Sequence, residues 1–168
     1  MNIYKERDMS VREQLQYMVN VNKMVAGRLL DDLTDGESAV MFENLSNHIR
    51  WLTGHAVYSN GFALTQLGSK DMDWQKYGKL FSGGTEIAGD PSAYPSIAEL
   101  REILNSFYDR ELELLENISD EDLERDVGEE GKPMPAWKRF CFMCMHDFYH
   151  AGQIVQIRRA LGRERPFD

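Results

Sequence analysis

The sequence predicts an all-α fold, a four-helix bundle with a long crossover connection. Three observations predict it. Apolar residues recur at the helical period in four long stretches. No stretch reads convincingly as a strand. The segment 68–95, rich in turn residues, separates the second stretch from the third. Long helices with one apolar face bury that face by packing together, so four of them imply a bundle. At 168 residues the chain is expected to form one domain, 1–168, around one core.

The first helix is expected from 10 to about 33. Ser10 and Glu13 form an S-x-x-E capping box, and Val11, Leu15, Met18, Val25, Leu29 and Leu33 supply the apolar stripe. Thr34, Asp35 and Gly36 break it. The second helix is expected from about 44 to 67, on the period of Leu45, Ile49, Leu52, Ala56, Ala63 and Leu67, with Gly68 as its stop. The segment 68–95 is long for a bare connection and holds Trp74, Tyr77 and Phe81. It is expected to carry a short helix or to wall a site. Either its aromatics cover the approach to that site, or they plug the end of the core.

A second capping box, Ser96 with Glu99, opens the third helix, which runs through Leu100, Ile103, Leu104, Phe107, Leu112 and Leu115 to about 117. Residues 119–123 read as one more turn. The fourth helix is expected from about 136 to 161, stopped by Gly162, with Arg158 and Arg159 complementing its dipole. Between Phe140 and Ile157 it is apolar on nearly every side. That pattern predicts a central helix buried on most faces.

Composition narrows the function. Lys and Arg total 19 and Asp and Glu total 28, a formal net charge of −9. Most of such a surface repels a nucleic-acid backbone, so no nucleic-acid partner is expected. No apolar run approaches the ~20 residues of a membrane span, and the N-terminal MNIYKERDMS lacks a signal-peptide core, so a cytoplasmic protein without a membrane partner is expected.

The chemistry concentrates in four histidines: His48, His55, His146 and His150. His146 and His150 stand four apart in HDFYH. On a helix they project within ~40° of each other and about 6 Å apart along the axis, which suits two ligands of one ion. Two polar residues on a half-buried helix would share that spacing. The apolar neighbours Cys144, Met145, Phe148, Ala151, Ile154 and Val155 favour the metal, because imidazoles buried there need partners. A third ligand is expected from the second helix. His48 and His55 are seven apart, ~10 Å along the axis, so only one can join. His48 sits near the helix start, where partial solvation is expected. His55 sits mid-helix and is preferred. HDFYH also resembles the H-E-x-x-H of zinc peptidases, with the shorter Asp147 in place of Glu, but no His follows and only 18 residues remain after His150 to supply another ligand. Cys141 and Cys144 form a lone C-x-x-C among apolar residues and read as core thiols.

Two segments carry a family resemblance. NHIRWLTGH, 47–55, resembles the N-x-I-x-W-x-x-G-H segment of the DinB-like (DinB/YfiT) metalloenzymes. HDFYHAGQ, 146–153, resembles their last-helix signature H-x-x-x-H-x-G-Q, and ISDEDLERDV, 118–127, resembles the segment before it. The resemblance implies a four-helix bundle with a long crossover and a divalent metal held by His55, His146 and His150. Three protein ligands leave a position for water or substrate. Zn or Ni is expected, since both suit imidazole. Asp147, Tyr149, Gln153 and Trp51 are expected around the ion, where outer ring nitrogens need partners. The family includes metal-dependent hydrolases and thiol S-transferases, and its members often form homodimers. The leading expectation is therefore a metal-dependent S-transferase acting on a small thiol and an electrophile, in a homodimer. The alternatives are a hydrolase, with water activated at the metal, and a non-catalytic metal or small-ligand binding protein.

Overall fold

The computed structural model describes residues 8–70, 73–164 and 166. The N-terminal segment 1–7, part of the signal-peptide argument, lies outside them. The fold is an all-α four-helix bundle. Its long helices are α1 (Val11–Leu30), α3 (Ile49–Gln66), α5 (Ile97–Asn117) and α7 (Ala136–Ala160), with the short helices α2 (Asp35–Ser38), α4 (Gly78–Phe81) and α6 (Asp120–Glu124) between them. Both expected capping boxes form, at Ser10 and Ser96. Each satisfies two amides that a helix start otherwise leaves without partners. A third, Thr34 with Glu37, starts α2 where a plain break was expected. Gly68 and Gly162 follow their helices at positive φ, 93° and 78°.

The long helices close a square in the order α1, α5, α3, α7, so the successive helices α1 and α3 stand on a diagonal. α3 therefore packs between α5 and α7, and its groove with α7 is where its side chains meet those of the last helix. The helix start differs from the expected 44. Residues 44–47 are not helical, and the His48 side chain caps α3, its Nδ1 accepting from the Trp51 N–H at 2.9 Å. His48 is 2% exposed, so the expected partial solvation is wrong. The imidazole is needed as an acceptor at the helix start, and Tyr94 packs edge-on to it.

The burial of α7 also corrects the reading. Only 8 of its 25 residues are buried, whereas 14 of the 18 in α3 are. α3 is the central helix. The buried set on α7 (Ala136, Phe140, Cys144, Asp147, His150, Ile154, Ile157 and Arg158) is one helical stripe. Phe142, Met145, Phe148 and Tyr149 face outward. Apolar residues on both faces concealed the stripe from the sequence.

The crossover 68–95 contains a 3-10 turn, Gln75–Tyr77, then α4, then a second 3-10 turn, Pro91–Ala93. It is pressed against α3 at two glycines. A Cβ on Gly61 would lie 2.2 Å from the Trp74 Cβ, and one on Gly54 would lie 2.2 Å from the Phe81 ring. Only glycine permits either approach. Buried Arg50 ties the start of α3 to both flanking segments, donating to the Ser38 hydroxyl and the Pro91 carbonyl, both at 3.1 Å. Among the described residues no helix is long and apolar enough to cross a membrane.

Candidate metal centre

α3 and α7 bring three imidazoles to one point. The Nε2 atoms of His55 and His146 are 3.3 Å apart, and those of His146 and His150 are 3.0 Å apart. One ligand atom from each of the three lies within 4.8 Å of the others, the one such gathering of His, Cys, Asp or Glu among the described residues. His48 is not part of it.

Two of the rings are fixed by their outer nitrogens. His55 Nδ1 donates to the Phe81 carbonyl at 2.6 Å. A carbonyl only accepts, so Nδ1 carries the proton and Nε2 presents a lone pair. His150 Nδ1 donates to Gln153 Oε1 at 2.8 Å, with the same consequence. The His146 Nδ1 is buried without a partner. Trp51 stacks on His55 with centroids 5.0 Å apart and planes 7° apart. Its Nε1 donates to the Leu80 carbonyl at 3.1 Å, which anchors it to α4. Tyr149 meets the His150 ring edge-on and is otherwise exposed.

Electrostatics favour neutral rings. Burial, together with the two neighbouring imidazoles, holds His146 down to about 4. Burial also lowers His55 and His150, against the opposing pull of the Phe81 and Gln153 hydrogen bonds. At neutral pH the rings are uncharged, and the Nε2 atoms of His55 and His150 present lone pairs toward the same point as His146. Lone pairs that converge in this way suit a shared cation. The donor set therefore fits a divalent ion of the imidazole-binding kind.

Asp147 is not where the sequence placed it. It partners none of the three imidazoles. It points into the core and accepts from Asn60 of α3 at 2.9 Å and from Tyr108 of α5 at 2.9 Å, with Asn22 of α1 at 3.5 Å. Asn22 also donates to the Cys144 carbonyl. One carboxylate thus links all four long helices and sets the register of the helix that carries His146 and His150. Burial pushes it up to about 7, against the pull of Asn60 and Tyr108. A buried Asp147 turned from the triad also removes the peptidase reading, which needs an acid beside the ion. Cys144 is buried in the core, as expected. Of the crossover aromatics, Phe81 serves the site through its backbone, while Trp74 packs on Gly61, Tyr58 and Phe62. That is a plug against α3.

The family model for the DinB superfamily matches residues 21–154. The chain belongs to the DinB superfamily. Solved structures agree with this DinB-type fold. A conserved protein from Enterococcus faecalis superposes with a TM-score of 0.70 at 18% identity, over 90% of this chain and 97% of that one. A DinB-like protein from Bacillus cereus gives 0.67 at 20%, over 89% and 92%. YfiT from Bacillus subtilis, described as a probable metal-dependent hydrolase with an unusual four-helix bundle topology, gives 0.61 at 17%, over 96% and 95%. No curated protein matches the sequence. Within the DinB-type frame, the residues that sequence reasoning missed are Asn22, Asn60 and Tyr108, the partners of Asp147, all buried. Their one signal is a polar side chain at an apolar-periodic position.

Proposed function

We propose that the chain is a metal-dependent hydrolase in which His55, His146 and His150 hold a divalent ion, Zn or Ni. One observation carries this reading: two of the three Nε2 lone pairs are fixed toward a common point by acceptors that engage the Nδ1–H on the opposite side of each ring. When bound, such an ion supplies Lewis-acid chemistry, polarising a substrate oxygen and raising the acidity of water. The chain does the positioning. Phe81 and Trp51 fix His55, Gln153 fixes His150, and Asp147 fixes the register of α7. The YfiT description favours hydrolysis over thiol transfer, which uses the same ligands with thiolate as the nucleophile.

The apolar face of α1 and α7 extends the proposal to assembly. Tyr17, Met24, Phe142, Met145 and Phe148 are exposed, and Met24, Val25 and Phe148 line a groove of about 400 Å3 between the two helices. A patch of this kind on two adjacent helices suits a two-fold contact with a second copy.

The test is metal analysis of untagged wild type and His150→Ala, followed by hydrolysis of ester and amide panels with and without added thiol. Wild type is expected to bind one ion per chain and the variant to lose it, with activity independent of thiol. Full retention of metal by His150→Ala refutes the triad. Turnover that requires thiol replaces hydrolysis with transfer.

A further inference from the structure

Gln153 belongs to two structures at once. Its Oε1 accepts the His150 Nδ1–H at 2.8 Å, and its side chain walls a surface cleft of about 170 Å3 between the start of α3 and the last turns of α7. Leu52 and Ile157, both buried, form the apolar floor. Asn44, Asn47, Gln153 and Gln156, which carry carboxamides, also line it. No residue lining the cleft carries a formal charge, although charged residues make up 28% of the chain.

Position ties the cleft to the triad. Leu52 stands about one turn before His55 on α3, and Gln153 about one turn after His150 on α7. The space on the inner side of His150, toward Asp147 and Tyr108, amounts to about 30 Å3, room for about one water. A substrate cannot lie there. On the outer side, Gln153 is the residue that joins the cleft to the His150 ring.

We propose that this cleft seats the body of the substrate, an uncharged small molecule whose amide or hydroxyl groups donate and accept around an apolar core. Each carboxamide supplies two donors and an acceptor. With its oxygen engaged by His150, Gln153 offers its NH2 group to a ligand carbonyl. A charged ligand would give up hydration and meet no counter-charge. The catalytic meaning of the cleft rests on the metal-centre reading above, but binding in it does not require the ion.

The test uses three near-isosteric probes, benzamide, benzoate and benzamidine in its protonated form, titrated into 15N-labelled protein in metal-free and zinc-loaded forms. The readout is the side-chain amide resonances of Asn44, Asn47, Gln153 and Gln156, with the imidazole resonances followed separately. Benzamide is expected to give saturable shifts of these amides in both forms, with the charged probes at least about tenfold weaker there. Asn47→Leu with Gln156→Leu is expected to weaken benzamide about tenfold or more. Benzoate that moves only the imidazoles of the zinc form supports the proposal, because the cleft itself has then rejected it. No saturable amide shift with benzamide, or equal affinity of a charged probe for the cleft, overturns it. Zinc that leaves the imidazole resonances unmoved refutes the metal centre instead, and the cleft result is then read from the metal-free form.

Discussion

Gly54→Ala tests whether the crossover holds the candidate metal centre in shape. The added methyl would fall 2.2–2.4 Å from three atoms of the Phe81 ring, where 3.4–4 Å is ordinary contact. The ring is completely buried and stacks on Tyr94, so it has to retreat by about 1 Å into filled space. Overpacking of this kind costs about 1–3 kcal/mol, and a fully enclosed ring belongs in the upper part of that range. Alanine offsets ~1 kcal/mol through its better helix propensity. The net loss should be about 1–2 kcal/mol, a fall in Tm of about 2–8 °C for a chain of this size. The second effect is specific. The Phe81 carbonyl moves with its ring, and that carbonyl is what fixes the His55 ring. Losing such a partner lowers metal affinity about 10–100-fold. Urea unfolding of the metal-free protein and zinc titration against a chelating indicator read the two effects separately. Phe81→Leu in the Gly54→Ala background should relieve the clash and restore part of both, which a double-mutant cycle quantifies. A folded Gly54→Ala protein with wild-type zinc affinity would refute the link between crossover and site.

The His48 cap predicts a pH effect. Burial, with Arg50 nearby, holds His48 down to about 4, against an ordinary value near 6.5. The folded state therefore binds the proton less well than the unfolded chain. Stability from this group is complete above about pH 6.5 and is lost as pH falls toward 4, by about 3 kcal/mol at most. His48→Asn, a cap that does not titrate, should flatten that part of the metal-free stability curve relative to wild type, and identical slopes would sink the assignment. His146→Leu removes the ring whose Nδ1 is buried without a partner. It should raise metal-free stability in urea by about 1 kcal/mol and abolish stabilisation by zinc, whereas lower metal-free stability would show that His146 is paired in solution. Light scattering should give twice the 19.4 kDa chain mass at micromolar concentration, and Met24→Glu with Phe148→Glu should return it to the monomer; a wild-type monomer defeats the dimer.

The four long helices were legible because their starts are written in local chemistry. Ser10 with Glu13 and Ser96 with Glu99 are contiguous in sequence, and each box works through bonds spanning three residues. The start of α3 was misplaced because its cap is a histidine, which works only when buried and neutral. Burial is a tertiary fact. The same limit hid which helix is central. α7 reads as apolar all round, yet Phe142, Met145, Phe148 and Tyr149 are exposed, with Phe148 beside Met24 of α1. Sequence periodicity cannot distinguish an apolar face that meets the core from one that meets another chain or solvent.

At the site, the spacing of His146 and His150 and the choice of His55 over His48 rest on helix geometry, and the structure brings those three rings together. The partners of the rings were only partly readable. Gln153 follows His150 by three residues on the same helix, so local geometry predicts the contact. The partner of His55 is a backbone carbonyl 26 positions away in a crossover, to which every residue type contributes the same atom. Asp147 shows the limit most clearly. It is expected as a partner of an outer ring nitrogen, but one residue beyond His146 is ~100° of helix rotation, which turns it toward Asn60 and Tyr108 instead. That rotation divides the HDFYH segment by function. His146 and His150 face the α3 groove, while Asp147 ties the helix carrying them to the other three. Metal affinity and bundle register are therefore coupled through adjacent residues, and a substitution at Asp147 that disturbs the register must also move both imidazoles.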